Sequence, residues 1–441
     1  MKMRRLVSMF LAAAMLLLLA ACGGNNDNSN SSSNSSSSSS SNSSSGGQGG
    51  DAAVDTVKVI DFVNMSGSGS VGGDATKKAI DLLAEMINEN GGVQSLGGAK
   101  IEVIYGDIQS DQNQVKTVIE RVLTENPDAV ACLGTGGSAY TVTALPIYEK
   151  YGIACVTMNV AESIVTSGYT TPIMASACAD QTGPLQVNFL QYMRENYGYD
   201  TSKCAILYTD NDYGQSNATG SQSLIESTEG LELTYSSPFP ADISDATSII
   251  TAIKASGAEV LFLTCDIATG TVIMDAMNAL DYHPVIIGGG GAMVQNSFAE
   301  ALGDACLGLL SSSISASNVK NVTDDEFFSE FVRRYEELYG PGNEYTCAET
   351  SGLYIIYQAV EKSGSTDRSV ILETIKSEEF KTMYPQANAG LSSWDENGKS
   401  ENGLMLMVQW QKGDDGAYHM NCVYPQECVG DGAAFLDLRN Q

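Results

Sequence analysis

The chain has 441 residues, with 53 acidic against 23 basic side chains and a formal net charge of −30. This excess of negative charge repels nucleic-acid phosphates, so no nucleic-acid partner is expected. About 390 residues follow the N-terminal 50. Because one hydrophobic core rarely grows to that size, the length predicts two lobes.

The N-terminus has the features of a signal peptide. Lys2, Arg4 and Arg5 precede an apolar run that ends in Leu-Ala-Ala-Cys at Cys22. The run is shorter than the roughly 20 apolar residues of a membrane-spanning helix. Residues 1–21 are therefore predicted to be a lipoprotein signal peptide and Cys22 to be lipidated, which places the protein outside the cytoplasm on a membrane anchor. Secretion without a lipid is the alternative.

A tether is predicted between the anchor and the folded part. Residues 23–50 are almost only Ser, Asn and Gly. They offer too little apolar surface to offset the entropy of ordering a backbone. Residues 22–54 are therefore expected to act as a flexible linker that begins with the lipidated cysteine.

Strands and helices alternate from residue 56 onward. The first strand is rich in Val and Ile, and the helical pattern after it ends at Asn90-Gly91-Gly92. Such alternation predicts a parallel sheet covered by helices on both faces. The strands predicted in this half are 56–63, 101–105, 129–133 and 153–157.

The same alternation restarts after residue 176. It predicts a second parallel sheet, two helices at 324–339 and 351–362, and a β-like segment at 404–411. The fold class is therefore α/β with two Rossmann-like lobes. The strands predicted in this half are 205–208, 231–235, 259–264 and 285–288.

The segment from Gly67 to Gly72 fits G-x-G-x-x-G between a strand and a helix. A dinucleotide site with this motif also has an acidic residue about 20 positions further on, at the end of the second strand. Here that strand ends near Asp107, well beyond this spacing. We therefore interpret the glycines as letting a ligand or the other lobe approach the backbone, and no cofactor is expected.

The sequence indicates no catalytic or metal site. His283 and His419 are the only histidines, and no G-x-S-x-G nucleophile motif is present. Residues 210–214 resemble half of a calcium loop but lack its later ligands. Because Tyr213 lies just past a predicted strand, it is instead a candidate for a ligand site at the carboxyl end of a parallel sheet.

The order and spacing of several short segments resemble the type I periplasmic binding proteins for branched-chain amino acids. The resemblance covers about residues 57–411. The segments that carry it are Met65-Ser66-Gly67, 88–92, 134–138, Ile147-Tyr148-Glu149, Gly152-Ile153, Gly168-Tyr169, 181–184, Asp212-Tyr213-Gly214, 354–360 and 394–398.

This resemblance implies two lobes joined by three crossover strands near residues 174–177, 309–313 and 391–394. The N-terminal lobe is then expected to comprise 55–176 and 312–392, and the C-terminal lobe 177–311 and 393–441. It further implies that a ligand binds between the lobes and that the closed form docks on an ABC permease.

The resemblance also implies roles for individual residues. Ser138 matches the serine that holds a substrate carboxylate, and its place at a helix start suits an anion. Tyr213 matches an aromatic residue of the cleft wall. Asn159 and Ala161 stand where the family has a small residue contacting the ligand through its backbone and a threonine, so one hydroxyl is missing.

Other pocket positions depart from the family. Gly72 replaces a tyrosine, and Gly290 stands where the family has the glutamate that pairs with the α-ammonium. Asp266 replaces another tyrosine, and Glu349 lies near a phenylalanine position. We hypothesise that Asp266 pairs with the ammonium instead. The ligand is then an amino acid or a similar cationic or zwitterionic metabolite more polar than leucine. Alternatively, both acids face solvent.

Transport is the function that these features favour: capture outside the membrane, closure of the lobes and delivery to a permease. A sensor subunit that presents the closed lobes to a receptor or kinase is one alternative. An exported enzyme on the same fold is another, although no nucleophile and base can be named.

Overall fold

A computed structural model describes residues 54–316, 319–320, 326–340, 342, 344–383, 391–414, 416–430 and 432–437, without the side chains of residues 344–348. The predicted signal peptide, Cys22 and nearly all of the tether lie outside the described residues. Among the helices of these ranges, none combines the length and the apolar character that crossing a bilayer requires.

Strands and helices alternate along most of the chain, as the sequence pattern predicts. The strands are β1 (Thr56–Val63), β2 (Lys100–Asp107), β3 (Ala131–Thr135), β4 (Ala154–Thr157), β5 (Pro172–Met174), β6 (Lys203–Thr209), β7 (Glu232–Phe239), β8 (Val260–Thr264), β9 (Val285–Gly288), β10 (Leu310–Ser313), β11 (Phe380–Lys381), β12 (Leu391–Ser392), β13 (Leu406–Lys412) and β14 (Tyr418–Tyr424). The helices are α1 (Ser70–Glu89), α2 (Val115–Glu125), α3 (Ser138–Tyr151), α4 (Thr182–Tyr197), α5 (Asp212–Ser227), α6 (Thr247–Ala255), α7 (Ile267–Ala279), α8 (Asn296–Leu302), α9 (Glu326–Tyr339), α10 (Glu344–Ser363) and α11 (Arg368–Ser377).

The first sheet has the strand order β2-β1-β3-β4-β5, and every neighbouring pair is parallel. Side chains of β1 alternate between its two faces. Val57 and Val59 contact the core shared with α1 and α10, whereas Ile60 and Phe62 contact the core shared with α2 and α3. Because helices cover both faces, the strands are apolar on both sides.

The second sheet has the order β14-β13-β10-β9-β8-β6-β7. Strands β6 to β10 pair in parallel, and β13 pairs antiparallel with both β10 and β14. The predicted α/β fold with a second parallel sheet is therefore confirmed, and a C-terminal hairpin extends that sheet.

The chain passes between the two sheets three times: after β5, after β10 and before β13. The first and third passages touch. Trp394 Nε1 donates to the Met174 carbonyl at 2.7 Å, and the Met174 amide donates to the Gly398 carbonyl at 2.8 Å. Gly398 has φ +81°, and a Cβ there would overlap the Pro172 carbonyl. Three connections between the sheets, two of them in direct contact, suit a hinge.

Candidate functional site

A cavity of about 350 Å³ lies between the carboxyl ends of the two sheets. Its walls are the residues that directly follow β1, β3 and β4 on one side and β6, β8, β9 and β10 on the other. Ligands of open parallel sheets bind at this edge. The lining consists of Asn64, Ser68, Gly69, Ser110, Gly136, Gly137, Ser138, Ala139, Tyr140, Met158, Asn159 and Val160 from the first side, and Asn211, Tyr213, Asp266, Gly289, Gly290, Gly291, Ser312, Ser313, Ile314 and Met405 from the second.

The N-terminus of α3 opens into this cavity. Gly137 is its N-cap residue, and no described side chain caps the helix. The first amide with an intrahelical acceptor is that of Thr141, which donates to the Gly137 carbonyl at 3.1 Å. The three preceding amides, of Ser138, Ala139 and Tyr140, have no acceptor among the described residues. Together with the helix dipole, they form a site for an anion.

Asn159 lies beside this helix N-terminus. Its Nδ2 donates to the Thr135 carbonyl and to the hydroxyls of Thr141 and Thr157 at 2.9 and 3.1 Å. A carbonyl oxygen can only accept, so these contacts fix the orientation of the amide group. Within the described structure, Asn159 lines the cavity and its Oδ1 accepts no hydrogen bond, so this oxygen is available as an acceptor.

The glycine-rich loop after β1 closes around Asn64. Asn64 Nδ2 donates to the Gly136 carbonyl at 3.1 Å, and Asn64 Oδ1 accepts from the Ser110 amide at 3.1 Å. A Cβ on Gly69 would lie 2.8 Å from Asn64 Nδ2, and a Cβ on Gly73 would overlap the Asn64 carbonyl. These glycines therefore allow α1 and two loops to approach one buried amide of the same lobe, whereas the sequence analysis expected a ligand or the other lobe to approach them.

The second side of the cavity holds two capped helix N-termini. Asn211 Oδ1 accepts from the Gly214 amide at 2.8 Å and caps α5. Asp266 Oδ1 accepts from the Thr269 amide and hydroxyl, each at 2.9 Å, and caps α7. The other carboxyl oxygen, Asp266 Oδ2, has no partner in the part of the chain that the structure describes.

Tyr213 and Gly290 form a further part of this wall. The Tyr213 hydroxyl donates to the Gly289 carbonyl, and the Gly290 amide donates to Ser311 Oγ at 3.0 Å. Gly290 has φ +91°, and a Cβ there would lie 3.1 Å from the Tyr213 hydroxyl. This backbone conformation explains why a side chain such as glutamate is not found at position 290.

Strand β10 contributes a residue that the sequence analysis missed. Ser311 Oγ donates to the Ser312 carbonyl at 3.1 Å, and Ser313 Oγ donates to the Ser315 carbonyl at 2.7 Å. Ser312 between them is fully buried, and its hydroxyl has no partner in the described ranges. The run of three serines at a predicted crossover could have indicated a polar site. The sequence does not show which hydroxyl lacks a partner, because the partners depend on the tertiary structure.

Of the eight residues that the sequence suggested for ligand binding, Ser138, Asn159, Tyr213, Asp266 and Gly290 line the cavity together. The structure does not bring the other three to it. Gly72 lies in the first turn of α1, beyond Ser68 and Gly69, which do line the cavity. Ala161 is buried in the core beside Ile164.

Glu349 is the third residue outside the cavity lining, and it does not face solvent either. It is 4% exposed on α10, and its Oε2 has no partner among the described atoms. Burial raises the pKa of Glu349 well above its ordinary value, and the nearby Asp61 carboxyl raises it further. Burial likewise raises the pKa of Asp61 from 3.8 to about 7. Both acids are buried in the first lobe.

The described cavity lining contains one charged side chain. Asp266 is its only acidic side chain, and no Lys, Arg or His belongs to the lining as described. Anion binding on the first side therefore depends on backbone amides and hydroxyls. The second side contributes a carboxyl oxygen that the protein leaves unused.

Two parallel-sheet lobes, a three-segment connection and a polar cavity between the sheets define a two-lobed ligand-binding protein. The chain belongs to the periplasmic binding protein family, whose model matches residues 56–416. The family is one of solute-binding proteins located outside the cytoplasm.

Individual relatives agree with this assignment. The chain is similar to the Leu/Ile/Val-binding protein homolog 7 of Brucella abortus, with 24% identity over 390 residues, which cover 87% of this chain and 94% of the relative. Its fold is similar to that of the leucine-binding protein LivK from Thermotoga maritima, with a TM-score of 0.70, 19% identity and coverage of 84% of this chain and 100% of that one.

A third similar protein is a solute-binding protein of an ABC transporter from Rhodopseudomonas palustris, solved in complex with 3,4-dihydroxybenzoic acid. Its TM-score is 0.70 and its identity 20%, with coverage of 86% of this chain and 99% of that one. At such identities the likeness shows the fold, and the ligand has to be argued from this chain's own cavity.

Proposed function

We propose that this protein is the solute-binding subunit of an ABC importer and that it binds an amino acid or a similarly charged small metabolite between its lobes. The observation that carries the proposal is the uncapped N-terminus of α3. The three amides of Ser138, Ala139 and Tyr140 have no acceptor within the described residues, and they lie at a cavity of suitable size for a metabolite.

The ligand carboxylate is proposed to accept hydrogen bonds from these amides and from the Ser138 hydroxyl. Asn159, Tyr213, Asp266 and Gly290 form the remaining contact surface, since all of them line the same cavity. The relatives named for leucine, isoleucine and valine support a ligand with an α-carboxylate, and the solved neighbour with its bound aromatic acid supports a carboxylate in general.

Closure of the two lobes is proposed to trap the ligand. In this proposal one lobe comprises residues 55–176 and 312–392 and the other 177–311 and 393–441, with the changeover after β10 displaced slightly, because Ser312 and Ser313 pair within the second sheet. The passages that include Met174, Ser313 and Trp394 act as the hinge in this proposal. The closed form is the one that a permease would recognise, and no turnover of the ligand is expected.

An extracytoplasmic position follows from the family, and we propose a lipid anchor at Cys22. The run of Leu-Ala-Ala-Cys after a charged and then apolar N-terminus supports cleavage after residue 21 and lipidation of the cysteine. Residues 22–54 then serve as the tether between the membrane and the lobes. A Cys22→Ala variant is expected to leave the membrane fraction.

A thermal-shift screen with the 20 amino acids and hydroxybenzoates tests the binding proposal. A ligand at 100 times its Kd stabilises the folded state by about 2.7 kcal/mol. The compound that raises Tm should also reduce the radius of gyration in solution scattering, because the lobes close around it. No stabilisation by any compound, or consumption of a bound compound, would contradict the proposal.

A further inference from the structure

The two sides of the cavity offer different groups to a ligand. The first side has backbone amide donors, and the second has a carboxyl acceptor. Asp266 is the sole acidic residue of the described lining, which contains no Lys, Arg or His. A neutral zwitterion whose ammonium is bound elsewhere would leave the Asp266 carboxyl without a counter-charge. The ammonium of an amino acid therefore has a candidate acceptor in each lobe.

The first lobe alone offers both halves of an amino-acid recognition site. The amides at the start of α3 can take the carboxylate, as proposed above. Asn159 Oδ1 lies beside them as a fixed acceptor, because Asn159 Nδ2 is already held by the Thr135 carbonyl and the hydroxyls of Thr141 and Thr157. A charged donor such as an ammonium forms strong hydrogen bonds with an oriented acceptor of this kind.

The negative charge of Asp266 is not needed for the structure of α7. Its cap on α7 uses only Oδ1, and Asn caps helices as well as Asp. In the same cavity, the neutral Asn211 caps α5 through the equivalent contact. Asp266 is exposed and lines the cavity, and no described residue contacts its Oδ2.

We propose that the ligand is a basic amino acid: the first lobe binds its zwitterionic head, and Asp266 Oδ2 accepts from a side-chain ammonium or guanidinium. This inference depends on the proposed function and narrows its ligand class. Met158, Val160 and Met405 line the cavity and suit the methylene stem that joins the two ends of such a ligand. The net charge of −30 also attracts cationic ligands to the protein.

Calorimetric titration with two ligand pairs tests the inference. L-Arginine is compared with L-citrulline, which has almost the same shape without the charge, and L-lysine with its Nε-acetyl derivative. The basic member of each pair is expected to bind at least about tenfold more tightly, because it gains a charge-assisted hydrogen bond.

Matched variants assign the effect to Asp266. Asp266→Asn retains the helix cap and removes the charge, so it should abolish the preference for arginine over citrulline. Asp210→Asn removes the same charge from an exposed residue outside the lining and should retain the preference. Asn211→Asp adds a second acid to the cavity and should strengthen arginine binding.

Three results would overturn the inference, and they differ from one another. Equal binding of arginine and citrulline would leave the proposed function standing with another ligand class. Equal weakening of both ligands by Asp266→Asn would mean that Asp266 binds the α-ammonium. Stabilisation only by hydroxybenzoates, with none by any amino acid, would overturn the amino-acid ligand of the proposed function as well.

Discussion

The helix N-termini of the two lobes differ at the cavity that they share. In the first lobe, α1 and α3 begin after Gly69 and Gly137, and no described side chain caps them. In the second lobe, Asn211 and Asp266 cap α5 and α7 with their own side chains. The first lobe therefore leaves amide donors available to a ligand. The second lobe uses its own side chains to bind some of its helix amides, and it adds an acidic side chain to the cavity.

The two cores differ in a related way. In the second lobe, the buried Gln186 donates to the Gly288 carbonyl at 2.8 Å and accepts from Ser221 Oγ at 2.9 Å. In the first lobe, Asp61 and Glu349 each bury a carboxyl oxygen without a partner among the described atoms. The second lobe also buries oxygens without a described partner, on Asn217, Ser297 and Ser312, so the first lobe differs in burying two carboxyl groups that form no described ion pair.

Giving α3 a cap like that of α7 should have the largest effect. Gly137 has extended backbone angles, and a Cβ there would lie 3.4 Å from Tyr140, an ordinary contact. Gly137→Asp can therefore be accommodated. Its carboxylate would occupy the amides and repel the ligand carboxylate, so amino-acid affinity measured by calorimetry should fall by about 100-fold or more.

Gly137→Asn is the matched control, because it caps the helix without adding charge. It should weaken binding less than Gly137→Asp. Both variants should keep or raise Tm, since a cap contributes about 0.5–2 kcal/mol to stability. Unchanged affinity in Gly137→Asp would show that the ligand anion binds elsewhere.

The burial of Asp61 in the first lobe should make stability depend on pH. Because the folded-state pKa of Asp61 is raised to about 7, folding favours its protonated form. This stabilising effect is complete below pH 3.8 and is lost as the pH rises through 7. Asp61→Asn should therefore match the wild type near pH 4 and exceed its free energy of unfolding by about 1–3 kcal/mol at pH 8.

Urea unfolding across this pH range measures the difference. Glu102→Gln makes the same charge change at an exposed position on β2 of the same sheet. Its effect on the free energy of unfolding should be small and the same at every pH. A variant at Asp61 that is less stable than the wild type at pH 8 would mean that the ionised carboxyl has a stabilising partner.

Substitutions of the serines of β10 are expected to have the smallest effects. Ser312→Ala removes a buried hydroxyl that has no partner in the described structure, so Tm without ligand should stay the same or rise slightly. Ser311→Ala removes the acceptor of the Gly290 amide and should lower the free energy of unfolding by about 1–3 kcal/mol. Equal losses in the two variants would contradict this distinction.

Much of the fold could be predicted from the sequence because the strands are short apolar runs with amphipathic helices between them. Most of the predicted strands and the α/β class are confirmed. The helix α11 and the strand β14 were not predicted. Buried and exposed residues alternate only weakly in β14, and α11 buries only Ile371 and Ile375. These elements form through tertiary contacts more than through their own pattern.

The strand-end argument predicted Tyr213 as a site residue, and the family resemblance added Ser138 and Asp266. Partner geometry was not predictable. The sequence does not show that Asn159 holds its amide nitrogen against three oxygens, nor that Ser312 lacks a partner within the described residues. Glu349 was placed by similarity of position, whereas its surroundings in the core depend on how α10 packs over the first sheet.

A crystal structure of the protein with the amino acid that stabilises it most would test the central claim directly. The ligand carboxylate is expected to lie within about 3 Å of the amide nitrogens of Ser138, Ala139 and Tyr140, a normal hydrogen-bond distance. A carboxylate bound to the second lobe, with these amides facing water, would contradict it.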